Sequence, residues 1–199
     1  MTTRHRRRAH DFYPTPAWAT RILLREWPAI TGHGVLEPCH GQCAITDELR
    51  AIGRCRVETN DLLAIPGADF QLDATAPASW RRFSLSDWVI TNPPFSHAFP
   101  ILQHAYAYTR GGRGVAFLLR LSFLEPTTDR RAFLVAHPPE GVLVLPRISF
   151  TGDGKTDNVT AAWFIWDRQE VAQQIRIIPP VEWRPASDRP LFREAEAPA

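Results

Sequence analysis

The chain has 199 residues, 44% of them hydrophobic, which suits one compact domain with a core of its own. A net charge of +2 is too small to establish a polyanionic partner, and no apolar run is long enough to cross a bilayer, so no membrane role is expected. The basic start has no apolar signal core, and Cys39, Cys43 and Cys55 form an odd, frameless set. Both features point to a reducing cytoplasm.

Lys155 is the single lysine, so almost all positive charge is arginine. Arginine forks onto phosphates and stacks on bases, but a GC-rich genome produces the same bias, and both readings stay open. Residues 1–10, with Arg4, Arg6, Arg7 and Arg8, read as a disordered basic arm. Asp11-Phe12-Tyr13-Pro14-Thr15-Pro16 is an extended, proline-pinned segment leading into a helix from Ala17 to Trp27, with Ile22, Leu23 and Trp27 on its buried face.

Gly34 to Pro38 is a short apolar strand ending in the acid Glu37. A glycine-bearing turn, Cys39-His40-Gly41-Gln42-Cys43, precedes a helix from Ala44 to Gly53, which makes a first βα unit. Arg56 to Asp61 is a second strand, and its terminal acid lies about 20 residues beyond the turn, where nucleotide-binding sheets place a ribose-binding carboxylate. Asp69 to Asp73 is a short third strand. Cys39, His40 and Cys43 lack a second pair of ligands at a metal-site spacing, so no metal is expected.

The fourth strand, Asp87 to Thr91, stops at Asn92-Pro93-Pro94-Phe95. Two prolines make a stiff corner without amide donors, flanked by a side-chain oxygen and a flat apolar ring. Those parts suit an exocyclic amine, whose lone pair is delocalised into its ring. Asn92 Oδ1 and the Pro93 carbonyl can accept its two N–H bonds and turn the lone pair outward, while Phe95 stacks on the base. Asn-Pro also opens many ordinary loops, so the tetrapeptide alone leaves both readings open.

A helix over His97 to Thr109 follows, then a continuously apolar strand from Val115 to Leu121, a helix from Thr128 to Ala136, and strands at Gly141 to Pro146 and Thr160 to Trp166. Strands alternating with helices predict one doubly wound α/β domain over residues 11–176. Between the last two strands a polar loop carries Arg147, Ser149, Thr151 and Lys155, suited to a nucleic-acid strand beside the pocket. Residues 177–199 read as a proline-rich irregular tail.

An aromatic-Pro-Thr-Pro segment, Glu-Pro-x-x-Gly after the first strand, an acid after the second and Asn-Pro-Pro-Phe after the fourth occur in one order. In this the chain, from Asp11 to Asp167, resembles the class I S-adenosylmethionine-dependent amino-methyltransferases, most closely the small phage and prophage DNA N6-adenine methyltransferases. The resemblance implies a Rossmann-like, mostly parallel seven-stranded sheet with an antiparallel last strand and helices on both faces. It implies that S-adenosylmethionine gives a methyl to the N6 amine of a flipped-out adenine in DNA, in a bacterial or phage-infected cytoplasm.

By the same resemblance, Glu37 and Gly41 sit against the methionine half of the cofactor with Pro38 shaping the turn, Asp61 takes the ribose hydroxyls and Asp73 the adenine amine. Tyr13 and Thr15 close over the methionine end, and Asn92, Pro93, Pro94 and Phe95 form the catalytic corner. Arg120 helps shape the pocket. Cys43 stands where the family usually has a second glycine, where a side chain would crowd the cofactor. No separate target-recognition domain fits in this length, which implies low sequence selectivity or a partner. RNA adenine, a protein glutamine amide, or a catalytically silent binding protein are the alternatives; the oligomeric state is not legible.

Overall fold

The computed structural model describes residues 15–84, 87–109, 112–148, 160–169 and 172–178. The basic arm, Tyr13, Ser149, Thr151, Lys155 and the tail beyond residue 178 lie outside them. Among the described residues eight strands form one sheet: β1 (Gly34–Glu37), β2 (Arg56–Asp61), β3 (Phe70–Gln71), β4 (Trp88–Thr91), β5 (Gly114–Arg120), β6 (Gly141–Val144), β7 (Ala161–Asp167) and β8 (Gln174–Ile177). Their order across the sheet is β3-β2-β1-β4-β5-β7-β6-β8. Only β7 runs against its neighbours, pairing antiparallel with both β5 and β6.

Both faces are covered, so the strands alternate between two cores rather than between core and solvent. Val35, Trp88, Ile90, Ala116, Leu118, Trp163 and Ile165 point to one side, where α1 (Ala17–Glu26) and α2 (Ala44–Ala51) supply Ile22, Leu23, Ile45 and Leu49. Leu36, Val89, Val115, Phe117, Leu119, Phe164 and Trp166 point to the other, against Ile101 and Leu102 of α3 (Ala98–Tyr108). α4 (Thr128–Ala136) lies shallower and reaches that core only through Phe133 and Leu134. Each fully buried side chain of this size contributes roughly 1.5–3 kcal/mol relative to exposure.

Two indoles tie α1 to the middle of the sheet. Trp27 Nε1 donates to Asp167 Oδ2 at 2.8 Å and Trp163 Nε1 to the Ala19 carbonyl at 2.8 Å. Gly114 and Gly141 are small because neighbours leave no room: a Cβ at Gly141 would meet the Trp27 ring at 2.6 Å, and one at Gly114 would run into the Trp166 carbonyl.

The α/β architecture with an antiparallel strand near the far edge agrees with the sequence reading. The eighth strand does not appear in that reading. β8 pairs parallel with β6, from Gly141↔Gln174 to Val144↔Ile177, and so extends the sheet to the first residue of the expected tail. Its Ile175 and Ile177 are exposed while Ile178 is buried. Pattern reasoning passed over it because a four-residue edge strand bounded by polar residues and prolines carries little apolar signal.

Candidate active site

Parallel strands bring their carboxyl ends to one edge, and the strand order reverses between β1 and β4, where open α/β sheets form a ligand crevice. Glu37 closes β1 and is 1% exposed. Its Oε1 accepts the Cys39 amide at 3.0 Å, while Oε2 and the Thr91 hydroxyl at the end of β4 have no hydrogen-bond partner among the described residues. Burial pushes the Glu37 carboxyl up to about 8; the nearby Thr91 hydroxyl and the Cys39 amide pull it back, and the charge of Asp61 adds to the rise. Cys39 is shifted upward too, by burial first and by the Glu37 charge second.

The turn that follows winds through left-handed backbone at Gly41 (φ 53°) and Cys43 (φ 65°). Cys43 therefore holds a conformation that glycine adopts freely. Its sulfur lies 3.1 Å from His40 Nε2, and the Thr46 hydroxyl donates to the Cys43 carbonyl at 2.9 Å. His40 is buried, and burial followed by the Arg50 charge holds its ring below the usual histidine range. The side chain that stands in a glycine's place thus has a partner: the Cys43 thiol packs on the His40 imidazole.

Asp61 ends β2 with Oδ2 accepting the Gly41 amide at 2.9 Å and Oδ1 the Leu63 amide at 2.8 Å. The acid and the turn that sequence reasoning assigned to one cofactor are in contact. Asp73 is exposed, and the Thr75 hydroxyl and amide, at 2.7 and 2.8 Å, hold its carboxyl below the usual range.

The sequence reading gave no role to Asn60, which is fully buried. Its Nδ2 donates to the Pro38 and Leu72 carbonyls and its Oδ1 accepts the Leu72 amide, so one amide stitches the turn after β1 to β2 and the end of β3. An asparagine beside the terminal acid of the second strand was the available signal.

After β4, Asn92 Nδ2 donates to the Thr15 hydroxyl at 3.0 Å, and Thr15 is itself buried. Two residues far apart in sequence, assigned to the two ends of one reaction, meet directly. Pro93 is buried and Phe95 half-buried, with the Arg120 guanidinium 4.5 Å above the Phe95 ring centre. Arg147 is exposed just after β6, which runs parallel to β5, so it lies on the same edge with β5 and β7 between it and β4. Tyr13, Ser149, Thr151 and Lys155 lie outside the described residues.

No family model and no curated protein matches the chain. Solved structures do. A type I restriction-modification methyltransferase subunit from Streptococcus thermophilus superposes with a TM-score of 0.61 at 17% identity, over 83% of this chain and 47% of that one. A candidate class I S-adenosylmethionine-dependent methyltransferase from Listeria monocytogenes gives 0.59 at 14% identity, over 87% and 67%. A candidate RNA methyltransferase from Pyrococcus horikoshii gives 0.54 at 18%, over 78% and 85%. The chain thus spans about half the length of the restriction-modification subunit. Strand order, the reversed β7 and these likenesses agree: the chain has the class I methyltransferase fold.

Proposed function

We propose that the chain transfers a methyl group from S-adenosylmethionine to the exocyclic N6 amine of adenine in DNA, with low sequence selectivity. The observation that carries this reading is the Asn92–Thr15 hydrogen bond. An amide that gives an N–H to a buried hydroxyl is held in one orientation, and its Oδ1 is then fixed as an acceptor for a planar amine. Beside it the Pro93 carbonyl can take the second N–H, and Phe95 can stack on the base. Restriction-modification and RNA methyltransferase likenesses favour a nucleic acid over a protein amide.

The residues of the β1/β4 crevice fit the donor. Glu37 Oε2 and Thr91 Oγ1 are buried near one another with no further partner among the described residues, and a cationic ligand suits a carboxyl held protonated by burial and by the charge of Asp61. Asp61 keeps lone pairs beyond its two amide bonds for ribose hydroxyls. Because the Cys43 thiol packs on His40, the physical ground for a silent binding protein is weak. S-adenosylmethionine supplies an electrophilic methyl on a sulfonium. The chain's own work is positioning: Asn92 and Pro93 localise the amine's lone pair, and the proton is lost from nitrogen after transfer, with no covalent enzyme intermediate.

The test is Asn92→Ala. Labelled-methyl incorporation into adenine-containing DNA should fall by at least a hundredfold, while donor affinity by calorimetry changes less than threefold, on the scale of removing one transition-state hydrogen-bonding group. Equal loss of both would assign the turn a folding role instead.

A further inference from the structure

Between the turns that follow β4 and β5 lies a cavity of about 250 Å3. Pockets that enclose a whole small molecule are roughly 300–1,000 Å3, so this one suits a single group of a larger ligand. Phe95, Ser96, Arg120, Ser122, Phe123 and Arg130 contribute to its wall, and none of its lining residues is acidic. Each guanidinium lies on a ring, Arg120 over Phe95 at 4.5 Å and Arg130 over Phe123 at 4.7 Å.

A ring beneath a guanidinium fixes its plane and leaves its edge N–H groups for an acceptor. Arg130 Nε donates to the Thr127 hydroxyl at 3.1 Å, which orients that fork further. Neither arginine forms an ion pair with a described carboxylate. Ala98, the first residue of α3, also lines the cavity, so the amide end of an eleven-residue helix adds to the positive potential. Two planar forks, two hydroxyls and a helix start converging on a space of this size match a tetrahedral oxyanion.

We propose that this cavity binds a phosphodiester of the strand whose base is held by the Asn92–Phe95 turn. The inference rests on the function proposed above for that turn. Arg120 connects the two subsites, because the same side chain caps the ring meant for the base and lines the space meant for the backbone. A phosphate held there fixes the register of the strand and leaves base identity to the corner itself.

The experiment titrates a labelled single-stranded deoxyoligonucleotide by anisotropy across a salt series, with the full chain, Arg130→Gln and Arg130→Lys, and follows labelled-methyl transfer alongside. The slope of log affinity against log salt should become shallower by about 0.7 in Arg130→Gln, one single-strand phosphate contact. Arg130→Lys should keep the slope and lose affinity several-fold, with both variants melting like the parent and binding the donor equally. An unchanged slope and affinity in Arg130→Gln, no oligonucleotide binding by the parent, or preference for an acidic peptide would each overturn the subsite. A ribo-oligonucleotide giving the same Arg130-dependent slope would support it and widen the source of the phosphate. Arg130-dependent binding without methyl transfer would support the subsite while removing the function proposed for the turn.

Discussion

Glu37 is the residue where folding and the proposed donor site pull in opposite directions. A carboxyl that titrates near 8 in the folded chain and near 4.5 unfolded keeps a proton that the unfolded chain releases. Folding is therefore unaffected by this group below about pH 4.5. It then weakens by up to roughly 1.4 kcal/mol for each pH unit toward 8 and levels off above it. Thermal melts of the protein without donor should show the midpoint falling from pH 5 to pH 8, and Glu37→Gln should remove most of that slope. An unchanged slope in the variant would mean that other groups govern it. Glu37 was legible as a functional candidate because it is an acid at the end of a short apolar strand, and Asp61 because it ends the next strand about 20 residues beyond the turn. The rise in the Glu37 pKa was not legible, since it comes from burial that only the packed turn creates. Cys43 shows the same limit. The family resemblance marked a side chain in a glycine's place, but not that His40 would receive it at 3.1 Å.

At the scale of elements, the long β5–β7 pairing is the spine of the sheet, running from Gly114↔Asp167 to Arg120↔Ala161. Continuous apolar runs made both strands readable, because strands buried on two faces have no polar alternation to lose. Their antiparallel register and the close approach at Gly114 depend on contacts far apart in sequence, which strand patterns do not show. Any side chain at Gly114 strikes backbone, which cannot rotate away. Gly114→Ala should cost about 3 kcal/mol or more, at the upper end of overpacking, measured by urea denaturation. A loss under about 1 kcal/mol would mean that β7 shifts cheaply. The Asn60 stitch was missed for a related reason: its three backbone partners come from the ends of β1 and β3, which strand patterns do not bring together.

At the scale of the whole molecule, selectivity follows from what each helix is already doing. Reading base edges in a duplex requires an element set into the major groove, where one bidentate contact discriminates by about 1–3 kcal/mol. Among the described residues, α1 and α2 are committed to one core and α3 to the other, and α4 packs through Phe133 and Leu134. The free side of α4 offers Arg130 to the cavity beside Phe95, and the phosphate contact proposed there would carry no sequence information. On the proposed function, recognition then falls to the corner at Asn92, which would test the base and not its neighbours. Expression of the chain in a host should accordingly methylate adenines in many flanking contexts, with preferences of no more than about tenfold between them, the equivalent of one 1.4 kcal/mol contact. Modification-sensitive sequencing of host DNA, with Asn92→Ala as the blank, checks this. Methylation confined to a single short recognition sequence would show that a reader outside the described residues, or a partner, supplies the specificity.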